Sequence, residues 1–280
     1  MTALFNAPDG RRLEFHDTGG DGTALLCLAG LTRNIRDFAH IPAQWPGRRV
    51  IRLSSRGRGG SDRAADPMVE YQVPVEAGDA LALLDHLGIS RVGVLGTSRG
   101  GILGMAMAAM RPGLVASLIL NDVGAMVDVA GLLRIRDYVG VPPHAKNFTE
   151  AAQALARAHA ADFPGVPLAR WETHARAIYD GEGAPTLSYD PAIALTLAAL
   201  DEAGPQIDLR PLFAACATVP TLVIRGANSN ILSAQTLADM QAGHPDLTAV
   251  TAADRGHAPF LDEPEAAAAI RAHLDRTLPQ

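Results

Sequence analysis

Lysine is nearly missing from this chain of 280 residues: Lys146 stands alone, and every other cationic side chain is arginine. Chemistry that depends on a lysine, such as a Schiff base or a Gly-Lys-Ser/Thr phosphate loop, therefore has little to work with. Cysteine is scarce too. Cys27 and Cys216 each sit in an apolar stretch, which predicts two buried thiols rather than a disulfide or a metal pair. No apolar run approaches the roughly 20 residues that cross a bilayer. Met1 to Arg12 lacks a basic segment followed by an apolar core, so no signal peptide is expected, and the chain reads as soluble and cytoplasmic. Lys plus Arg total 24 against 30 Asp plus Glu, a net charge of −6 with no basic stripe, which argues against nucleic acid or an anionic membrane as partner. The nine histidines form no H-x-H or H-E-x-x-H pair, so neither a metal site nor a cofactor is expected. What the chain does have is 48% hydrophobic and 19% charged residues, the balance of a packed soluble protein and not of a disordered one.

Short β-rich runs alternate with helical patterns. Ala3–Phe5 and Leu13–Asp17 flank Pro8-Asp9-Gly10 and predict a hairpin. Ala24–Leu28, Arg49–Leu53 and Arg91–Leu95 read as strands covered on both faces, Leu114–Leu120 and Thr221–Ile224 as two more strands, and Leu247–Thr251 as strand-like. A helix is expected from Pro74, with Val75, Ala80, Leu81, Leu84 and Leu87 at helical spacing and a stop at Gly88. Further helices are expected over Gly100–Met110 and Pro264–Leu274. This alternation predicts an α/β protein, a doubly wound, mostly parallel sheet with helices on both faces. From about residue 125 to 205 the pattern turns helical, with runs at Thr149–Phe163, Leu168–Tyr179 and Pro191–Ala203, and Thr149 and Asp190 as N-caps. The expected organisation is a core of residues 1–124 and 206–280, with an all-helical cap of residues 125–205 over one end of the sheet.

One turn carries chemistry. Val92-Gly93-Val94-Leu95 runs into Gly96-Thr97-Ser98-Arg99-Gly100-Gly101 with a helix directly behind, a G-x-S-x-G sequence between strand and helix. A sharp strand-to-helix turn strains its middle residue and brings backbone segments together, so Gly96 and Gly100 must lack side chains. The Ser98 hydroxyl then stands above the sheet at a helix start, where free amides stabilise an oxyanion.

With that turn, Leu28-Ala29-Gly30-Leu31 after an early strand, Arg56-Gly57-Arg58-Gly59-Gly60-Ser61 after the next and Gly256-His257 near the end, the chain resembles α/β-hydrolase-fold proteins of the capped esterase and lactonase type. The resemblance implies that the backbone N–H groups of Leu31 and Arg99 form the oxyanion hole. It also implies that His257, on the loop Asp254–Phe260, is the base that a serine hydroxyl needs at neutral pH, in the chain order serine, acid, histidine.

The acid departs from the resembling pattern. After Thr221–Ile224 the chain reads Arg225-Gly226-Ala227-Asn228-Ser229-Asn230, and Asn230 stands where these families normally carry Asp. Three accounts stay open. Asp122, in Leu120-Asn121-Asp122-Val123-Gly124, is the acid, as in some families of this fold; or Asn230 is a natural or engineered weakening of the triad; or the protein does not hydrolyse. Ser54 and Ala29 also depart from the usual residues, which bears on loop rigidity rather than reaction class.

The cap is expected to set specificity. Tyr138 and Trp171 among its aromatics, and Arg33 beyond the oxyanion loop, are the candidate substrate contacts, with Arg36, Arg134 and Arg136 as further carboxylate partners. The expected activity is hydrolysis of a small or medium carboxylic ester or lactone through an acyl-enzyme. The alternatives are a lyase or cofactor-free oxygenase on the same fold, or a degenerate module that binds a ligand without turnover. The expected partner is the small-molecule substrate, with a homodimer left open.

Overall fold

Two segments of the predicted hairpin open the chain. In the computed structural model, which describes residues 2–198, 200 and 206–279, β1 (Thr2–Asn6) and β2 (Arg12–Asp17) pair antiparallel around Gly10, whose φ of 85° suits the tight turn. The core continues through β3 (Ala24–Leu28), α1 (Ile41–Gln44), β4 (Val50–Leu53), α2 (Pro67–Glu70), α3 (Val73–His86), β5 (Val92–Thr97), α4 (Arg99–Met110) and β6 (Val115–Asn121). An insertion comes next, with β7 (Met126–Asp128), α5 (Val129–Arg136), α6 (Phe148–Ala158), α7 (Leu168–Ile178), β8 (Tyr179–Asp180) and β9 (Thr186–Leu187), and β10 (Gln206–Asp208) on the way back. The chain then returns to the core as α8 (Arg210–Ala214), β11 (Thr221–Gly226), α9 (Ala234–Gly243), β12 (Leu247–Ala252) and α10 (Pro264–Thr277).

Eight strands form one sheet in the order β1-β2-β4-β3-β5-β6-β11-β12, antiparallel at the β1-β2-β4 edge and parallel from β4 onward. Every residue of β3 and β4 is buried, as continuous apolar runs between two helical layers must be. One face packs against α3, α4 and α9 through Ala80, Leu84, Leu103, Met107 and Leu237. The other packs against α10 and the α1 region through Ile41, Trp45, Ile270 and Leu274. The sheet is thus wound on both sides. Cys27 and Cys216 are buried free thiols, and burial pushes the Cys216 thiol up to about 12.

The insertion differs from its sequence reading in three ways. It is not wholly helical: β7 and β10 pair antiparallel, so the chain leaves and re-enters the core side by side, and β8 and β9 form a second short pair. The α6 cap is Asn147, whose Oδ1 accepts the Glu150 N–H at 2.9 Å, and not Thr149; the amide side chain wins because it sits one turn ahead of the first free donors. Asp190 does cap, accepting from Ala192 N–H at 3.0 Å, but the segment it starts is a 3₁₀ turn over Pro191–Leu197. There Thr196 donates its hydroxyl to the Ile193 carbonyl at 2.7 Å, which competes with an α ladder. Ala203 and the expected boundary at residue 205 lie outside the described residues. Among the described residues no helix is long and apolar enough to cross a membrane.

Candidate active site

Ser98 occupies the bend between β5 and α4 with φ 52° and ψ −117°, a region that costs a non-glycine residue on the order of 1–3 kcal/mol. The surrounding glycines make the bend feasible. A Cβ on Gly96 would lie 2.3 Å from the Gly100 carbonyl, and one on Gly100 would lie 1.9 Å from the Leu28 oxygen. The first turn of α4 therefore presses directly on the end of β3. Ser98 emerges above the sheet, and its backbone N–H donates to the Asn121 carbonyl at the end of β6.

The imidazole of His257 arrives from the loop between β12 and α10. Its Nε2 lies 2.9 Å from Ser98 Oγ and its Nδ1 lies 2.7 Å from Asp122 Oδ2. An ionised carboxylate only accepts, so Nδ1 carries the proton and Nε2 is left to accept from the serine hydroxyl. Asp122, fully buried with φ 56° just past β6, takes two further bonds. Its Oδ1 accepts the Gly226 N–H at 2.8 Å and its Oδ2 accepts the Ser229 hydroxyl at 2.6 Å. The loop after β11 thus sends a hydroxyl and an amide to this carboxylate.

Of the accounts open for the acid, this arrangement favours Asp122, whose carboxylate and not the Asn230 amide meets the imidazole. Asn230 contributes its backbone carbonyl to a tight contact with Gly131 at the start of α5, and no bond joins it to the imidazole among the described residues. Ser229, one residue earlier, was not singled out by the sequence. Neither was Asn121, whose Nδ2 donates to Thr97 Oγ1 at 3.1 Å and to the Pro259 carbonyl at 3.0 Å, tying the serine bend to the histidine loop.

The Leu31 loop closes over the same spot. A Cβ on Gly30 would be 3.9 Å from Ser98 Cβ and 3.5 Å from Arg33 Cγ, so loop backbone, nucleophile and the Arg33 stem meet in one place. Neither the Leu31 nor the Arg99 N–H donates to a protein acceptor among the described residues. Two unspent amides beside a serine hydroxyl can hold the negative oxygen of a tetrahedral intermediate. Ser54 is buried and donates to Glu14 at 2.8 Å while accepting the Ile35 N–H at 3.2 Å, so this departure from the usual residue does support a loop.

The insertion packs onto the histidine loop. Phe163, Trp171 and His174 contact the Phe260 ring at centroid distances of 5.2 to 5.7 Å. A Cβ on Gly256 would meet Asp162 at 2.7 Å. Trp171 is 2% exposed and stacked on His159, inside the insertion's own aromatic cluster. The sequence reading of Trp171 as a substrate contact gives way to a core role, since its ring is spent on neighbouring side chains. Tyr138 is half exposed and within electrostatic reach of Arg33.

Of the four arginines considered, Arg33 lies at the site, with Nη2 2.7 Å from Asp37 and both terminal nitrogens 3.4 to 3.5 Å from the His174 ring. Burial, together with the Arg33 and Arg170 charges, holds His174 well below the ordinary imidazole range. A neutral ring therefore faces the guanidinium. Arg36 is paired with Asp180 at 2.7 Å and Arg134 with Asp162 at 2.9 Å, while Arg136 reaches the Leu200 carbonyl at 3.4 Å.

Comparison with known proteins agrees with this fold. The family model described as alpha/beta hydrolase fold matches residues 23–264. The chain is 32% identical over 262 residues to a 3-hydroxybutyrate-oligomer hydrolase of Cupriavidus necator, covering 90% of this chain and 89% of that protein. It is 27% identical over 242 residues to a 2-(acetamidomethylene)succinate hydrolase of Mesorhizobium japonicum, covering 85% and 82%. A crystal structure of an alpha/beta hydrolase from Novosphingobium aromaticivorans superposes with a TM-score of 0.91 at 43% identity, covering 99% of this chain and 98% of that one. The chain belongs to the α/β-hydrolase fold family.

Proposed function

We propose that this protein is a serine hydrolase that cleaves a small or medium carboxylic ester or lactone through an acyl-enzyme. One observation carries the reading: Ser98, His257 and Asp122 are joined in series by contacts of 2.9 and 2.7 Å. In the proposed cycle His257 Nε2 takes the Ser98 proton as Oγ attacks the ester carbonyl, and the imidazolium forms against Asp122. The Leu31 and Arg99 amides receive the oxyanion. Collapse expels the alcohol, protonated by His257, and a water activated by the same imidazole releases the acid. The ligand-binding alternative rested on Asn230; a carboxylate on Nδ1 supports turnover over it. Mixing the protein with excess p-nitrophenyl butyrate is expected to release p-nitrophenolate in a burst close to one equivalent, or in steady turnover if deacylation is fast. No release above the uncatalysed rate would refute hydrolysis.

The substrate reading is an ester that also carries a carboxylate, held by Arg33 at the site's edge. Two hydrolases similar to this chain are named for a hydroxybutyrate oligomer and for a substituted succinate, both of which end in carboxylates. A hydrogen bond to a charged group contributes about 1.5–3 kcal/mol once water is displaced from it. Arg33→Gln is therefore expected to raise KM for a 3-hydroxybutyrate dimer by about 10- to 100-fold, with kcat and the hydrolysis of p-nitrophenyl butyrate nearly unchanged. Equal losses on both esters would remove Arg33 from substrate recognition.

A further inference from the structure

The face of α3 that packs against the core contains a glutamate. Glu76 is 1% exposed, and a carboxylate that deep must be paired to be tolerated. It is paired twice. Its Oε1 accepts from Arg58 Nη1, and its Oε2 accepts from Arg99 Nε at 2.5 Å. Both arginines continue to backbone. Arg58, itself 1% exposed, donates from Nε to the Leu31 carbonyl at 2.7 Å and from Nη1 to the Arg56 carbonyl at 2.6 Å. Arg99 donates from Nη2 to the Tyr71 carbonyl at 2.8 Å.

Leu31 and Arg99 are the two residues whose N–H groups stand unspent beside Ser98. They belong to segments far apart in sequence, one after β3 and one at the start of α4. No direct bond joins these two residues to each other among the described residues. Beyond the backbone packing of α4 on the end of β3, the buried carboxylate connects them by hydrogen bonds, through Arg58 to one and through the Arg99 side chain to the other. An oxyanion hole works only if both donors are already placed when charge develops, and shifts well below 1 Å between two donors weaken it.

We infer that Glu76 is a positioning residue: by clamping Arg58 and Arg99 it fixes the spacing of the Leu31 and Arg99 amides, and so stabilises the transition state without touching substrate. The inference rests on the serine-hydrolase reading above. It gives the buried Arg-Glu-Arg cluster a task beyond holding α3 in place, and it separates transition-state stabilisation from ground-state binding. The Leu31 and Arg99 amides would bond most strongly to the tetrahedral oxygen, so loosening them is expected to cost transition-state binding more than substrate binding.

The test uses Glu76→Gln, with Arg99→Met as a second variant that cuts the link and keeps the backbone N–H. Each is compared with wild type for kcat and KM on p-nitrophenyl butyrate, for inhibition by butylboronic acid, which forms a tetrahedral adduct, and for inhibition by butyrate. Removing one oxyanion donor outright costs about 10²–10³ in kcat, and misplacing two by loosening is expected to cost about 10- to 100-fold. KM and butyrate inhibition are expected to stay within about twofold, and boronate affinity to fall in parallel with kcat/KM. If Glu76→Gln does not fold, Arg99→Met decides on the same readouts. The inference is overturned if wild type turns over while the folded variants keep kcat and boronate affinity. It is overturned equally if boronate and butyrate affinities drop together. If wild type itself shows no turnover, the hydrolase reading fails instead.

Discussion

Replacing Asp122 by asparagine is expected to lower kcat on a simple ester by about 10⁴, while replacing Asn230 by aspartate is expected to change it by less than about threefold. The first half follows from the bond between Asp122 and His257 Nδ1. An amide there carries no charge for the imidazolium and can donate to Nδ1, turning the ring to the tautomer that cannot accept from Ser98. It would also face the Ser229 hydroxyl and the Gly226 N–H, two donors aimed at the same group, and leave one of them without an acceptor. The second half follows from where Asn230 is. Its carbonyl is wedged against Gly131 of α5, and the imidazole already has its carboxylate. Steady-state rates of the two variants and wild type at one pH decide the matter. A gain of tenfold or more in Asn230→Asp would return the acid role to the loop after β11.

The second large effect is on folding. Gly100→Ala is expected to abolish soluble expression or to lower Tm by more than about 10 °C. A methyl there would stand 1.9 Å from the Leu28 oxygen and 2.8 Å from the Ala29 oxygen. Both obstacles are backbone at the end of a buried central strand and cannot rotate aside. Overpacking of movable side chains costs about 1–3 kcal/mol; displacing β3 or α4 costs more, out of a total stability of about 5–15 kcal/mol. For a chain of this size each kcal/mol moves Tm by about 2–4 °C. Gly78 in α3 is the control, because a Cβ there meets nothing within 4 Å and its φ is not left-handed. Gly78→Ala is expected to hold or slightly raise Tm, since alanine is the better helix former by about 1 kcal/mol. Thermal unfolding of both proteins tests the contrast, and equal small shifts would mean that the β3–α4 contact is looser than described.

Much of the architecture could be read from apolar runs. β3, β4, β5 and β11 lie within two residues of the expected limits because continuous Val, Leu and Ile between turn residues has one good solution, a strand buried on both faces. The short helices α5, α8 and α9 were not singled out; α9 buries only Thr236, Leu237 and Met240, too thin a stripe to stand out. The serine turn was legible because its glycines are forced by backbone contact, a local constraint. The acid was not, because Asp122 and the loop after β11 are neighbours only through the β6–β11 pairing, and nothing in the spacing of residues 122 and 230 says which side chain crosses over.

The charged layer under the site was the least legible. Glu76 and Asp79 stand among the alanines and leucines of α3, on the face that the helical period assigns to the core. Arg56 and Arg58 stand in a glycine-rich loop whose sequence names no acidic partner for them. Only the tertiary arrangement reveals that Arg56 meets Asp79 at 2.7 Å and Arg58 meets Glu76, all four buried. Two glycines in Arg56–Gly60 have left-handed backbone, φ 74° at Gly57 and 53° at Gly59, which is how that loop turns its arginines inward.

Intact-mass and peptide-mass measurement after rapid quenching with p-nitrophenyl butyrate tests the central claim most directly. The expected result is a butyryl increment on the peptide containing Ser98 in wild type, and no increment in Ser98→Ala. Turnover at the wild-type rate in Ser98→Ala, or an adduct confined to another side chain, would contradict the account.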